Sequence, residues 1–241
     1  MNKVERALRN LVVANRILAH NRVLDAYGHV SIRHPADPTR HFLSRSLSPG
    51  IVTENDIVEF THDGLPVNDE KRPLYLERFI HGGVYMARPD INAVLHAHSD
   101  EVLPFTISSV PLRAVVHSIG DIGHNIPVWD IADKFGTNTD LLVRNMDQGK
   151  DLASTLAGNR VALMRSHGFV STGRTLNDLV RISVYIPRNA RVQMQAIQLD
   201  GEVKYLHEGE INARLDFDPE SPAARRGWEF WANEAGCGEM L

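Results

Sequence analysis

Cysteine is almost missing from this sequence: it occurs once in 241 residues, at Cys237. One thiol cannot close an intrachain disulfide or build a thiolate-rich metal site, so a reducing compartment is expected. Long apolar runs are missing as well, and none approaches the roughly 18 residues of a membrane-spanning helix. The opening MNKVERALRN is charged from its third residue and holds no apolar signal-peptide core. These absences predict a cytoplasmic protein with no membrane partner. Neither sign of charge dominates, since 26 Lys and Arg stand against 30 Asp and Glu, and no run of Lys or Arg exceeds two. No nucleic-acid partner is therefore expected.

Apolar residues are plentiful, at 43%, which is enough to bury a core. With no internal repeat or linker, the simplest organisation is one domain over residues 1–241 with a polar tail from about 200. Trp228, Phe230 and Trp231 would anchor that tail, and a neighbouring subunit is one surface it could fold onto. Val4, Leu8, Leu11 and Leu18 recur at helical spacing over 3–20. GHVSIRHP at 28–35 alternates like a half-buried strand, and 41–43 and 57–60 read as further strands. A helix over 76–88 stops before Pro89, and INAVLHAH at 91–98 follows as a strand. Residues 111–130 read as strands with loops, and NRVALMRSHG as a strand ending in His167-Gly168. Thr175 and Asp178 resemble a capping box opening a helix to about 198, which Pro187 should kink or break. Helices alternating with strands make the fold class α/β.

Histidine is abundant, with twelve. On a strand, residues two apart share a face, so His96 and His98 project side by side, at a separation one metal ion bridges. Glu77, on the helix before that strand, can fold back toward them. His167 ends another apolar strand, where the following glycine offers little steric obstruction. Three imidazoles and a carboxylate leave coordination positions open, as in catalytic rather than structural sites. Each residue also has a plain alternative: a surface His pair, a satisfied strand-end histidine, or a solvated glutamate paired with His81 or Arg78.

The segment RPLYLERFIHGGVYMARPDINAVLHAHSD resembles the class II aldolase/adducin family, in which a helical Glu precedes RPD, an apolar strand and HxH. VALMRSHGFVSTGRTLNDL is similar to the family segment that supplies a third histidine, and GHVSIR to its GNxSxR with His29 in place of Asn. IPVWDIADKFGT resembles the stretch linking the two halves, so the likeness spans roughly residues 5–200. It implies a class II aldolase-like fold, a central, mostly antiparallel β-sheet flanked by helices on both faces. It also implies homotetramers with active sites at subunit interfaces. His96, His98 and His167 become ligands of a divalent metal, and Glu77 an acid/base residue or fourth ligand. Manganese and zinc both suit such a site, and iron is not excluded.

Sugar-phosphate members of the family hold phosphate with a Gly-Asn turn, a TPSG-like loop and a Ser-Ser pair before the Glu. Here those positions read Gly28-His29, SLSPG and Tyr75-Leu76. A phosphate dianion needs several close donors, which Tyr75 and Leu76 do not supply. The pattern looks more like the family's decarboxylases of hydroxylated aromatic or pyridine carboxylates. Arg45, Ser46, Ser48, His29 and Tyr75 are then substrate-binding candidates, with Arg45 equally readable as a surface arginine. In that reading the metal stabilises the oxyanion formed on C–C cleavage, and Glu77, His29 or His117 delivers a proton. Glu77 would have to be protonated, which burial beside Tyr75 and Leu76 would favour. His117 and His124 occupy the region where some aldolases place a tyrosine acting across a subunit boundary. The alternative is an aldolase or epimerase acting on an unphosphorylated sugar or hydroxy-keto acid.

Overall fold

The apolar spacing over the first twenty residues becomes α1 (Lys3–His20), opened by Asn2, whose side chain accepts the Glu5 amide. After it come β1 (His29–Arg33), β2 (Arg40–Ser44), β3 (Ile57–Thr61), α2 (Arg78–Ala87), β4 (Ala93–Ala97), α3 (Leu103–Thr106), β5 (Val128–Trp129) and α4 (Ala132–Phe135). The chain ends with α5 (Met146–Leu156), β6 (Val161–Met164), β7 (Gly168–Gly173), α6 (Leu176–Gln198), α7 (Glu208–Leu215) and α8 (Pro222–Glu234). This is a computed structural model that describes residues 1–215 and 217–241. Among them, no helix is long and apolar enough to cross a membrane.

The strands form one sheet in the order β3-β2-β1-β4-β7-β6-β5, antiparallel except where β5 meets β6. Strand alternation sends Ala93, Leu95 and Ala97 of β4 into a core shared with α1 and α6, and Val94 into a second core with α2 and α5. Helices therefore cover both faces, and β4 is buried along its length. His96 lies on the face of Val94, under α2. The same alternation leaves Val30 of β1 in the first core and turns His29, Ser31 and Arg33 beneath α2. Helix α2 meets this polar strand face with His81 and Tyr85, one turn apart.

α2 and α5 pack backbone to backbone. A Cβ at Gly83 would lie 2.4 Å from the Gly149 carbonyl oxygen, and one at Gly149 would lie 2.2 Å from that of Phe79. No side chain fits that contact.

Four expectations are corrected. α6 runs unbroken through Pro187. The ring deletes one ladder hydrogen bond, but Val184, Ile186 and Ala190 around it are buried in the first core and the helix continues past it, so the expected break is absent. Residues 111–130 yield only a 3-10 turn at His117–Ile122 and the two-residue β5. The strand expected to end at His167 ends at Met164, and His167 sits in the turn before β7. Thr175 caps α6 by accepting the Asp178 amide, yet Asp178 does not return the bond to Thr175. Its carboxylate binds Arg160 and Arg181 and accepts the Arg174 amide.

Residues beyond 200 form α7 and α8, which pack on this chain's own elements. Trp231 meets Tyr185 of α6 edge-on at 6.0 Å between ring centroids.

Candidate metal centre

Three backbone devices bring four side chains to one end of the sheet. β4 turns His96 under α2, and His98 follows just past the strand end. Glu77 precedes α2 directly, at its N-cap. The β6–β7 turn presents His167 after Ser166, which adopts φ 56° and donates its amide to Thr106 Oγ1 at 3.1 Å. Gly168 is required next, because a Cβ there would lie 2.1 Å from the Ala97 carbonyl oxygen. The family-like glycine after His167 thus serves the close approach of β7 to β4.

The ligand atoms of Glu77, His96, His98 and His167 all lie within 4.8 Å of one another. His98 Nε2 is 3.0 Å from His96 Nε2 and 3.1 Å from His167 Nε2. Glu77 Oε2 is 3.4 Å from His96 Nε2 and 3.5 Å from His167 Nε2. The opposite ring nitrogens fix the tautomers. His96 Nδ1 faces the Phe169 carbonyl at 3.2 Å and His167 Nδ1 the Leu141 carbonyl at 3.0 Å. Carbonyls only accept, so both Nδ1 atoms carry the proton and both Nε2 atoms present lone pairs. His98 Nδ1 lies 3.2 Å from both Asp25 carboxylate oxygens, with the same consequence. Three imidazole lone pairs and a carboxylate oxygen converge with no proton to share. A divalent cation is their chemical complement, and outer-shell oxygens on all three histidines are the arrangement metal sites use.

Burial pushes the His96 imidazole down to about 4, with Glu77 opposing, so at neutral pH it is uncharged and free to ligate. Glu77 departs from expectation. Burial alone would raise its carboxyl, but positive charge on the Nε2 side of His96 and His167, a proton or a cation in its place, outweighs that and holds it well below the carboxylate range. It stays ionised, as suits a ligand, and its Oε1 accepts the Val143 amide at 2.9 Å.

Sequence reasoning missed the residues that orient the ligands. Asp25 is one, 42% exposed in its side chain. Partial burial works against its charge, but the amides of Tyr27 and Gly28 and the nearby His98 hold it below its usual value. Asp25→Ala is expected to weaken zinc binding about 10–100-fold, read by competition with a chromophoric chelator. Unchanged affinity would limit Asp25 to supporting its turn. Leu141, strained at φ 68°, and Val143 act through backbone atoms, which residue identity does not reveal.

The other candidates are only partly gathered. His29 pairs with His96 across β1 and β4, its ring centroid 5.2 Å away. Burial, then the neighbouring His81 and His96, push it well below its ordinary value, so it is neutral. Tyr75 lies 4.5 Å from His29 between ring centroids, and its phenol donates to the Leu47 carbonyl. Leu76 is 41% exposed beside Glu77. Arg45 is tied to Asp56 at 2.8 Å. The Ser46 amide donates to Pro73, and neither the Ser46 nor the Ser48 hydroxyl forms a hydrogen bond among the described residues. His117 is exposed on its 3-10 turn, which Asp121 fixes to Arg160, at the end of β6 away from His167. His124 Nε2 bonds Asn212 Oδ1 at 2.9 Å. Neither of these two reaches the metal group within one chain.

Comparison with known proteins identifies the family. The chain is 36% identical to decarboxylase tropJ of Talaromyces stipitatus, over 97% of this chain and 95% of that protein. It is 25% identical to 3,4-dihydroxyphthalate decarboxylase of Arthrobacter keyseri, over 83% of each. The crystal structure of an aldolase II superfamily protein from Pseudomonas syringae superposes with a TM-score of 0.80 at 18% identity, covering 100% of this chain and 96% of that one. The model of the class II aldolase and adducin N-terminal domain matches residues 9–194, which include all four converging residues. This chain belongs to the class II aldolase and adducin family.

Proposed function

We propose that this protein is a divalent-metal-dependent decarboxylase of a hydroxylated aromatic or pyridine carboxylate. The observation that carries the reading is the convergence of His96, His98, His167 and Glu77. Tyr75 spends its phenol on Leu47, and Leu76 offers an apolar wall to a flat ring. Support comes also from tropJ and the dihydroxyphthalate enzyme, both decarboxylases by name.

Manganese or zinc bound to these four residues would supply positive charge opposite an oxyanion. The chain's own side chains do the rest. Glu77 would complete the donor set as a carboxylate, which leaves the proton to another group. His29 faces the substrate's oxygens. The unpartnered hydroxyls of Ser46 and Ser48 take the substrate carboxylate, on a loop that Arg45 steadies through Asp56. Loss of CO2 from a carboxylate takes up one proton at the ring carbon. His117, exposed and remote in its own chain, would deliver it from a neighbouring copy in a cytoplasmic homotetramer with active sites at its interfaces.

The test is CO2 release by manganese-loaded protein from ortho-hydroxylated benzene and pyridine carboxylates. Release abolished by a chelator is the expected result. No release, with aldehyde formed from hydroxy-keto acids, would establish an aldolase instead.

A further inference from the structure

The buried polar seam between β1 and α2 belongs to no ligand set. His29 Nδ1 lies 2.7 Å from His81 Nε2. His81 Nδ1 lies 2.6 Å from Ser31 Oγ, and Ser31 Oγ lies 2.9 Å from the Tyr85 hydroxyl. All four side chains are buried. No hydrogen bond reaches His29 Nε2 among the described residues, so that atom is the chain's free end, on a ring whose centroid is 5.2 Å from that of His96.

The direction of the protons along this chain can be read. The Ser31 hydroxyl proton has three acceptors in reach, His81 Nδ1 at 2.6 Å, the Tyr85 oxygen at 2.9 Å and the Val94 carbonyl, and given to Tyr85 it would leave the buried Tyr85 O–H with no acceptor among the described residues. The Val94 carbonyl is 3.5 Å away and loses the competition. Ser31 therefore donates to His81 Nδ1. With its hydroxyl proton committed, Ser31 accepts from the Tyr85 O–H. A neutral His81 that accepts at Nδ1 carries its proton on Nε2 and donates it to His29 Nδ1. A neutral His29 that accepts at Nδ1 carries its own proton on Nε2.

We propose that His81, directed by Ser31 and Tyr85, is a positioning residue that locks His29 as an Nε2–H donor, so that the site reads an anionic oxygen of its ligand at that point. The class of ligand, a phenolate or carboxylate oxygen, rests on the decarboxylase reading. The tautomer does not. A fixed donor beside three lone-pair-bearing ligands also separates roles: His29 binds the substrate, and His96, His98 and His167 bind the metal.

The experiment uses full-length, zinc-loaded protein with nitrogen-15 histidine. Two-bond proton–nitrogen spectra should show His29 Nε2 protonated and Nδ1 as the bare nitrogen. Salicylate is the binding probe. His81→Phe should weaken salicylate binding about ten- to a hundredfold, the scale of a lost bond to a charged group, and leave zinc affinity unchanged. His81→Gln, whose amide donates to the same Nδ1, should recover most of the loss. Ser31→Ala deletes one hydroxyl and should give His29 mixed tautomers, so it decides the matter if the larger change does not fold. A bare Nε2 in the wild type, or wild-type salicylate binding in His81→Phe and Ser31→Ala, would overturn the inference. Wild-type protein that shows the expected tautomer but ignores salicylate would sink the ligand class and keep the positioning role.

Discussion

Replacing His96 with alanine is expected to cut affinity for zinc or manganese by more than the roughly 10–100-fold that loss of an outer-shell partner costs. CO2 release should vanish with it. His96 is fully buried, uncharged at neutral pH, and aimed at the other ligands by the Phe169 carbonyl. Its removal leaves Glu77 ionised in a buried site with one fewer nitrogen opposite it. Chelator competition gives the affinity, and circular dichroism of the variant separates loss of metal from loss of fold. Tight metal binding by a folded His96→Ala protein would show that the four converging residues are not the site.

Asp121→Ala should be among the most destabilising single substitutions in the chain. Asp121 is fully buried and accepts from Arg160 Nη1 at 2.9 Å and from Arg181. Arg160 and Arg181 are themselves 13% and 8% exposed in their side chains. Among the described residues, alanine leaves two guanidinium groups in the interior with only Asp178 to neutralise them. Breaking a buried pair from one side costs about 3–5 kcal/mol. At ~2–4 °C per kcal/mol for a chain of this size, Tm should fall by roughly 6–20 °C. Differential scanning calorimetry at fixed protein and metal concentration measures it. Adding Arg181→Met should recover part of the loss, because it removes one stranded charge. A Tm within a degree of wild type would mean that water reaches the pair and the network contributes little.

The four converging residues were legible in the sequence because they are side chains at spacings that geometry interprets. A two-residue step on a strand puts His96 and His98 together, and Glu77 lies one turn and one helix upstream. The family-like segments supplied His167. What stayed hidden acts through the backbone or over long separations. Leu141 and Val143 hold His167 and Glu77 with a carbonyl and an amide, for which any residue type serves. Asp25 reaches His98 across 73 residues of chain. The β1–α2 seam was visible only as polar residues at 29, 31 and 33, which read equally well as the wet face of a strand. α2 covers that face, so the same residues are dry and bonded. Pro187 misled for the complementary reason, since local propensity gave way to packing on both sides of the ring.

The contact of Gly83 with Gly149 has a consequence for how this enzyme can change. Glu77 stands at the head of one rod, α2. The segment bearing Leu141 and Val143 runs straight into the other, α5. Where the rods touch, main chain meets main chain, and the two behave as a single weld between Glu77 and the groups that steady it. Mutational libraries aimed at new substrates should therefore lose nearly every member altered at the weld. They have room at Leu76 and along the loop of Ser46 and Ser48, where new shapes can be tried without disturbing the spacing of the four ligands.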